Sequence, residues 1–273
     1  MVGIQDHVPA LSAADGGGPR ARPPALAEVR PLVVEGLAVR YGAARAVEDV
    51  SLVVGAGSVV GLLGPNGCGK TSTLRAIVGL LRPAAGSVVV NGVSQRSRLA
   101  RAQLAYVPDE PDGLDELAVA EYLSLVRALY REDAGFDARS HRLCDAFGLT
   151  PRLRVRLGAL SHGQRRIASM VAAFALARPL VVVDEATAAL DPEAAIVLRE
   201  TLRATAARGC GVLVATQDLA FAERVCDDVV LLSAGLVVAR GRTERLAPLE
   251  QSFLAAIGAS ERLEEVRAAL RDL

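Results

Sequence analysis

Lysine is all but missing from this chain: Lys70 is the single one, and the other 30 of the 31 basic residues are arginine. An excess charge of either sign is missing too, with 31 basic and 31 acidic residues and a net charge of zero. That balance argues against nucleic-acid binding, whose affinity rests on surplus positive charge along phosphates. No stretch approaches the roughly 18 uninterrupted apolar residues of a membrane helix; the longest run, Ile167 to Ala177, reads as a buried helix. Residues 1–30 lack the basic-then-apolar order of a secretory signal. Four cysteines without paired spacing fit a reducing compartment better than a disulfide frame or a zinc site. The default expectation is a cytosolic chain. What is present, 273 residues with 51% hydrophobic and 23% charged, is a globular composition with ample material for a core.

Residues 1–30 carry Gly16-Gly17-Gly18-Pro19 and Pro23-Pro24 with little periodicity, and read as a disordered tail. Leu32–Val39 and Val47–Val54 read as an antiparallel pair at a sheet edge. Ser58–Leu63 is continuously apolar, as in a strand buried on both faces, and leads through a glycine-rich turn to a helix over 70–81. Strands follow at 87–91 and 104–107. From about 108 to 157 the spacing turns helical, at 117–130 and 138–149, which marks an inserted helical unit. An alternating pattern then resumes: helix 163–177, strand 180–184, helix 192–208, strand 211–215, helix 218–225, strand 228–232. Asp191-Pro192-Glu193 is a strong helix start, with a capping acid, a first-turn proline and a charge facing the dipole. The pattern implies an α/β fold with a mostly parallel sheet covered on both faces. Leu263, Val266 and Leu270 give a last helix that either packs on its own domain or docks a partner.

Gly64-Pro65-Asn66-Gly67-Cys68-Gly69-Lys70-Thr71 matches G-x-x-x-x-G-K-[ST], between an expected strand and an expected helix. Glycines let backbone N–H groups converge into a concave nest, and the following helix adds its positive end. Candidate nucleotide-binding residues therefore run from Gly64 to Thr71 and on to Ser72. Lys70 supplies a compact charge for β- and γ-phosphates, a task for which the arginines used elsewhere are the wrong shape. The Thr71 hydroxyl suits Mg²⁺, a hard ion that takes oxygen ligands. Leu180-Val181-Val182-Val183-Asp184-Glu185 delivers two acids at the end of a buried strand. Asp184 is a candidate for holding Mg²⁺, and Glu185 for polarising an attacking water as general base. These residues point to a nucleoside triphosphate bound with Mg²⁺, which the resemblance below makes ATP.

With Leu160-Ser161-His162-Gly163-Gln164 added, the sequence resembles the ATP-binding subunits of ABC transporters over roughly residues 31–245. The family signature is L-S-G-G-Q, from which His162 departs. The resemblance implies a P-loop NTPase fold with an antiparallel β subdomain at the edge and a helical subdomain, about 108–162, inserted. Beyond the stretch of resemblance, the helical spacing of the last residues gives a C-terminal helical extension over 246–273. The resemblance also implies that Ser161, Gly163 and Gln164 meet the γ-phosphate of a nucleotide on an opposite protomer, in a homo- or heterodimer closed around two ATP. Tyr41 takes the place of the aromatic that stacks on adenine, and Ala188-Ala189-Leu190-Asp191 that of the dimer-contact loop. Asp109 stands where the family has a glutamine near Mg²⁺. Gln217 stands where it has a histidine that reaches the γ-phosphate; glutamine cannot become cationic, which implies slow hydrolysis. The implied partners are separate transmembrane permease subunits, with the chain peripheral at the cytoplasmic membrane face and export the favoured direction. Two other readings stay open: a soluble ABC ATPase of the iron–sulfur assembly kind, and an ATP-binding regulatory subunit with weak hydrolysis.

Overall fold

The computed structural model describes residues 30–110, 113–132 and 134–259, so the expectations for the first 29 residues and for a helix beyond 260 lie outside the described residues. In chain order the elements are β1 (Leu32–Tyr41), β2 (Ala44–Val54), β3 (Val59–Leu63), α1 (Lys70–Ile77), β4 (Ala85–Val90), β5 (Val93–Ser94), α2 (Arg98–Arg101) and β6 (Leu104–Val107). The helical insertion contributes α3 (Val119–Tyr130) and α4 (Ala134–Ala146). Then come α5 (His162–Ala175), β7 (Leu180–Val183), α6 (Pro192–Ala207), β8 (Gly211–Thr216), α7 (Leu219–Val225), β9 (Asp228–Ser233), β10 (Leu236–Arg242), α8 (Thr243–Leu246) and α9 (Leu249–Ala256).

Two sheets form. The larger runs β10-β9-β3-β8-β7-β6, with every pair parallel except β10-β9. The smaller runs β2-β1-β4-β5 and is wholly antiparallel. The expected antiparallel pair, β1 and β2, therefore exists but belongs to a sheet of its own rather than to the edge of the parallel one. That edge is taken by β10, a strand not anticipated, whose LVVARGR sequence is exposed or half-buried and lacks a clean apolar face.

Side-chain alternation divides the core. Val60, Leu62, Leu180, Val182, Leu213 and Ala215 face β1, β2, β4 and α1. Their neighbours Leu63, Val181, Val183, Val212 and Val214 face α5, α6, α7 and the helical insertion. Strands buried on both faces carry no polar alternation, which is why 59–63 and 180–183 read as continuous apolar runs. Each such valine or leucine, fully buried, contributes about 1.5–3 kcal/mol. Helix α1 stops four residues short of its expected end: Gly79 adopts φ +81°, and the N–H groups of Leu80 and Leu81 turn back to the Arg75 carbonyl. No helix among the described residues is long and apolar enough to cross a membrane.

Candidate functional site

The parallel register fixes where the chemistry gathers. Leu63 pairs with Thr216, Val183 with Val214, and Val107 with Val183, so the C-terminal ends of β3, β8, β7 and β6 lie along one edge. From that edge emerge the 64–69 loop, Gln217, the Asp184-Glu185 pair and Asp109. Crevices beyond strand C-termini are where open α/β sheets bind ligands.

The 64–69 loop is built from positive-φ glycines: Gly64 at +155°, Gly67 at +77° and Gly69 at +109°. A Cβ on Gly64 would lie 2.1 Å from the Leu232 carbonyl oxygen, and one on Gly69 would lie 2.6 Å from that of Ala46. Any side chain there would push the loop off the sheet. Pro65, Asn66 and Gly67 are exposed, while Gly64, Cys68, Gly69 and Lys70 are buried. No side chain caps the N-terminus of α1, which leaves its dipole and amides available to an anion. The Cys68 thiol is pushed up by burial, against the pull of Lys70, so it is a packing group here.

Lys70 is 4% exposed. Its Nζ donates to the carbonyls of Gly64 (2.9 Å) and Pro65 (3.2 Å) and pairs with Glu185 Oε1 at 2.9 Å. The buried charge is thus offset on three sides, as an internal cation must be. Thr71 Oγ1 donates to Asp184 Oδ1 at 3.3 Å and the Tyr106 hydroxyl to Asp184 Oδ2 at 3.4 Å. Burial holds the Asp184 carboxyl above the usual carboxylate range; the Thr71 bond opposes this and the charges of Asp109 and Glu185 add to it. Burial, then the Asp184 charge, raises the Tyr106 hydroxyl. Tyr41, half exposed at the end of β1, has its hydroxyl 3.3 Å from Ser72 Oγ, so the two meet over the first turn of α1.

The signature segment is elsewhere. Ser161 Oγ accepts from the Gln164 amide at 3.2 Å, and Gln164 Oε1 accepts from the Ser161 amide at 3.3 Å, a reciprocal cap on α5. Gly163 lets this turn abut the 188–191 loop, since a Cβ there would lie 2.4 Å from the Ala189 carbonyl oxygen. Among the described residues, no hydrogen bond or ion pair joins Ser161, Gly163 or Gln164 to residues 64–72. Gln217 is exposed in the bend after β8, and its side chain makes no hydrogen bond among the described residues.

Two residues escaped the sequence reading. Tyr106 sits in the short strand β6, and only the fold brings it to Asp184. Arg166 reads as a surface arginine beside Arg165, yet it is fully buried. Its Nη1 donates to the Asp109 carbonyl (2.5 Å) and to Asp109 Oδ1 (3.0 Å), and its Nη2 to the carbonyls of Asp184 and Glu185. Its position at the head of the apolar run 167–175 was the available signal, because the helix has no solvent face there. Burial lowers the guanidinium from its ordinary range, opposed by the charges of Asp109, Asp184 and Glu185. Asp109, expected near a metal, thus has Arg166 as its partner. Thr71 and Asp184 remain the two oxygen donors that converge, and no group of three or more His, Cys, Asp or Glu side chains that could hold a metal ion occurs among the described residues.

Comparison with known proteins adds independent findings. The family model described as ABC transporter matches residues 47–188. The chain is 35% identical over 230 residues to Nod factor export ATP-binding protein I of Rhizobium meliloti, covering 80% of this chain and 68% of that protein. It is 34% identical over 228 residues to the lipopolysaccharide export system ATP-binding protein LptB of Haemophilus influenzae, covering 81% and 94%. A solved structure of an ATP-binding subunit of an ABC transporter superposes with a TM-score of 0.78 at 34% identity, covering 83% of this chain and 99% of that one.

Proposed function

The chain belongs to the ABC transporter family as an ATP-binding, ATP-hydrolysing subunit, and from that premise we propose how its own residues carry the cycle. The nucleotide-binding domain spans 31–245 with the helical subdomain inserted over about 108–162, and 246–273 extends it. ATP enters with its phosphates against the 64–69 loop and the open end of α1. Lys70 then exchanges Glu185 and the two loop carbonyls for the β- and γ-phosphate oxygens. The Lys70–Glu185 pair carries this reading: the ammonium is held by a carboxylate, which the γ-phosphate would displace. Once displaced, Glu185 is free to accept the proton of the attacking water. Tyr41 lies beside the adenine, over Ser72.

Thr71 and Asp184 fit Mg²⁺, since two oxygens already converge and, among the described residues, the buried Asp184 carboxylate forms no ion pair. When bound, Mg²⁺ supplies neutralisation of charge on the phosphate oxygens. Tyr106 orients the carboxylate.

Among the described residues the signature turn makes no hydrogen bond or ion pair to the 64–72 cradle of its own chain, so a second copy completes the site with Ser161, Gly163 and Gln164, in a homo- or heterodimer around two ATP. Ser161 exchanges its helix cap for the γ-phosphate. Closure and reopening of that dimer drive separate transmembrane permease subunits, with the chain peripheral at the cytoplasmic face. The two compared relatives are named for export, and export is the direction proposed here. Gln217, neutral and exposed, makes hydrolysis slow. Glu185→Gln protein examined by analytical ultracentrifugation tests the cycle: an ATP-dependent dimer is the expected result, and a monomer at saturating ATP and high protein concentration contradicts it.

A further inference from the structure

The backbone at Glu185 is unusual, and its support comes from outside its own strand. The Asp184 amide donates to the Val107 carbonyl on β6 at 2.9 Å, whereas the Ala186 amide donates to Ala215 on β8 at 3.1 Å. Between these two anchors the chain switches partners, and Glu185 makes the turn at φ +43°, a left-handed conformation that a residue with a Cβ adopts only under constraint. Two consecutive carbonyls, those of Asp184 and Glu185, are thereby left pointing toward α5. Arg166 receives both with Nη2 and holds the Asp109 carbonyl and carboxylate with Nη1. A planar fork with fixed donor directions suits this task; a lysine ammonium, a single point, cannot span acceptors on two separate segments. Asp109 follows β6 and opens the path into the helical insertion, while Arg166 lies in the second turn of α5, five residues past the Ser161 cap.

The geometry points to Arg166 as a positioning residue for the ATPase reaction: its guanidinium locks the Glu185 turn to the Asp109 segment, so that the carboxylate is aimed at water only while Asp109 is in place. The residue acts through Glu185, by the carbonyls and carboxylate it holds, and not on the nucleotide or the water directly. The inference rests on Glu185 being the base, so movement of the helical insertion would reach the base through this one buried side chain.

The experiment compares steady-state ATP hydrolysis of the full chain with Arg166→Lys, Asp109→Asn and the double variant, each normalised to folded protein by ATP-binding stoichiometry. Arg166→Lys is expected to lower kcat by about 10²-fold, the cost of misplacing a catalytic group by about 1 Å, with KM for ATP within about twofold of the wild type. Asp109→Asn is expected to lower kcat several-fold without changing the half-saturating Mg²⁺ concentration, and the double variant is expected to be no slower than Arg166→Lys alone. If kcat per folded molecule is unchanged while only thermal stability falls, the residue is a core staple and the inference is overturned. Additive effects in the double variant, or an Mg²⁺ requirement raised by Asp109→Asn, overturn it equally. Should Arg166→Lys fail to fold, Asp109→Asn decides alone, unchanged kcat being the contrary result. Glu185→Gln in the same assay separates the two layers: if it keeps wild-type turnover the base assignment fails, whereas if it is slow and Arg166→Lys is not, only the present inference does.

Discussion

Two helix starts in this molecule face the same task and are built in opposite ways. Helix α1 begins at Gly69 with no side-chain cap and no acid in its first turn. Helix α5 begins at Ser161 with both members of a capping box engaged. An uncapped helix start normally costs about 1 kcal/mol relative to a capped one. At α1 that cost leaves donors open to an anion, next to a lysine buried for the same purpose. At α5 the donors are satisfied, so a phosphate must displace Ser161 from its own helix. One half-site is complete in a single chain; the other is stable alone and gives up its cap only when something better is offered. On the proposed cycle, this difference makes ATP binding and ATP hydrolysis separable.

That separation is open to attack at four points. The largest effect is expected from Glu185→Gln: turnover falls by about 10²–10⁴-fold, the usual weight of a general base, while ATP still binds, as a filter-binding assay would read. Next, Gln217→His supplies a donor that can carry charge and should raise turnover by on the order of 10-fold to 10²-fold; an unchanged rate means the glutamine already suffices. Ser161→Ala should leave monomer affinity for ATP alone, reduce turnover by about tenfold, and lower Tm by about 2–4 °C through the lost cap. Equal loss of monomer affinity would erase the contrast between the two helix starts.

The smallest effect concerns Asp184, whose folded-state pKa is raised by burial. A raised carboxyl pKa means that the native state holds its proton more tightly than the unfolded chain. The carboxylate therefore costs stability above its folded pKa, and the cost fades as pH falls through that value. Asp184→Asn should raise Tm of the nucleotide-free protein at neutral pH, with the gain shrinking on acidification. A gain independent of pH would remove burial of charge as its cause.

How much of this was legible in the sequence follows the physics of each part. The 64–71 loop was readable because its glycines, its lysine and its flanking elements are contiguous. Strands β3 and β7 were readable because burial on both faces leaves only apolar residues. Division into two sheets was not, since β1 finds one partner at 44–54 and another at 85–90, and local pattern carries no such choice. Strand β10 was missed because an exposed edge strand keeps charges and glycine. Arg166 was missed because a buried arginine looks like a surface one until its acceptors are assembled from two other segments. The isolation of Ser161 from the cradle belongs to tertiary geometry, although the S-x-x-Q capping box around it was in plain view.

The most direct measurement is a calorimetric titration of ATP with Mg²⁺ into the full chain and into Lys70→Ala. The account predicts saturable binding to the wild type and affinity weaker by roughly 10–10²-fold in the variant, as expected when a buried charged donor worth about 1.5–3 kcal/mol is removed. Equal dissociation constants for the two proteins would contradict it.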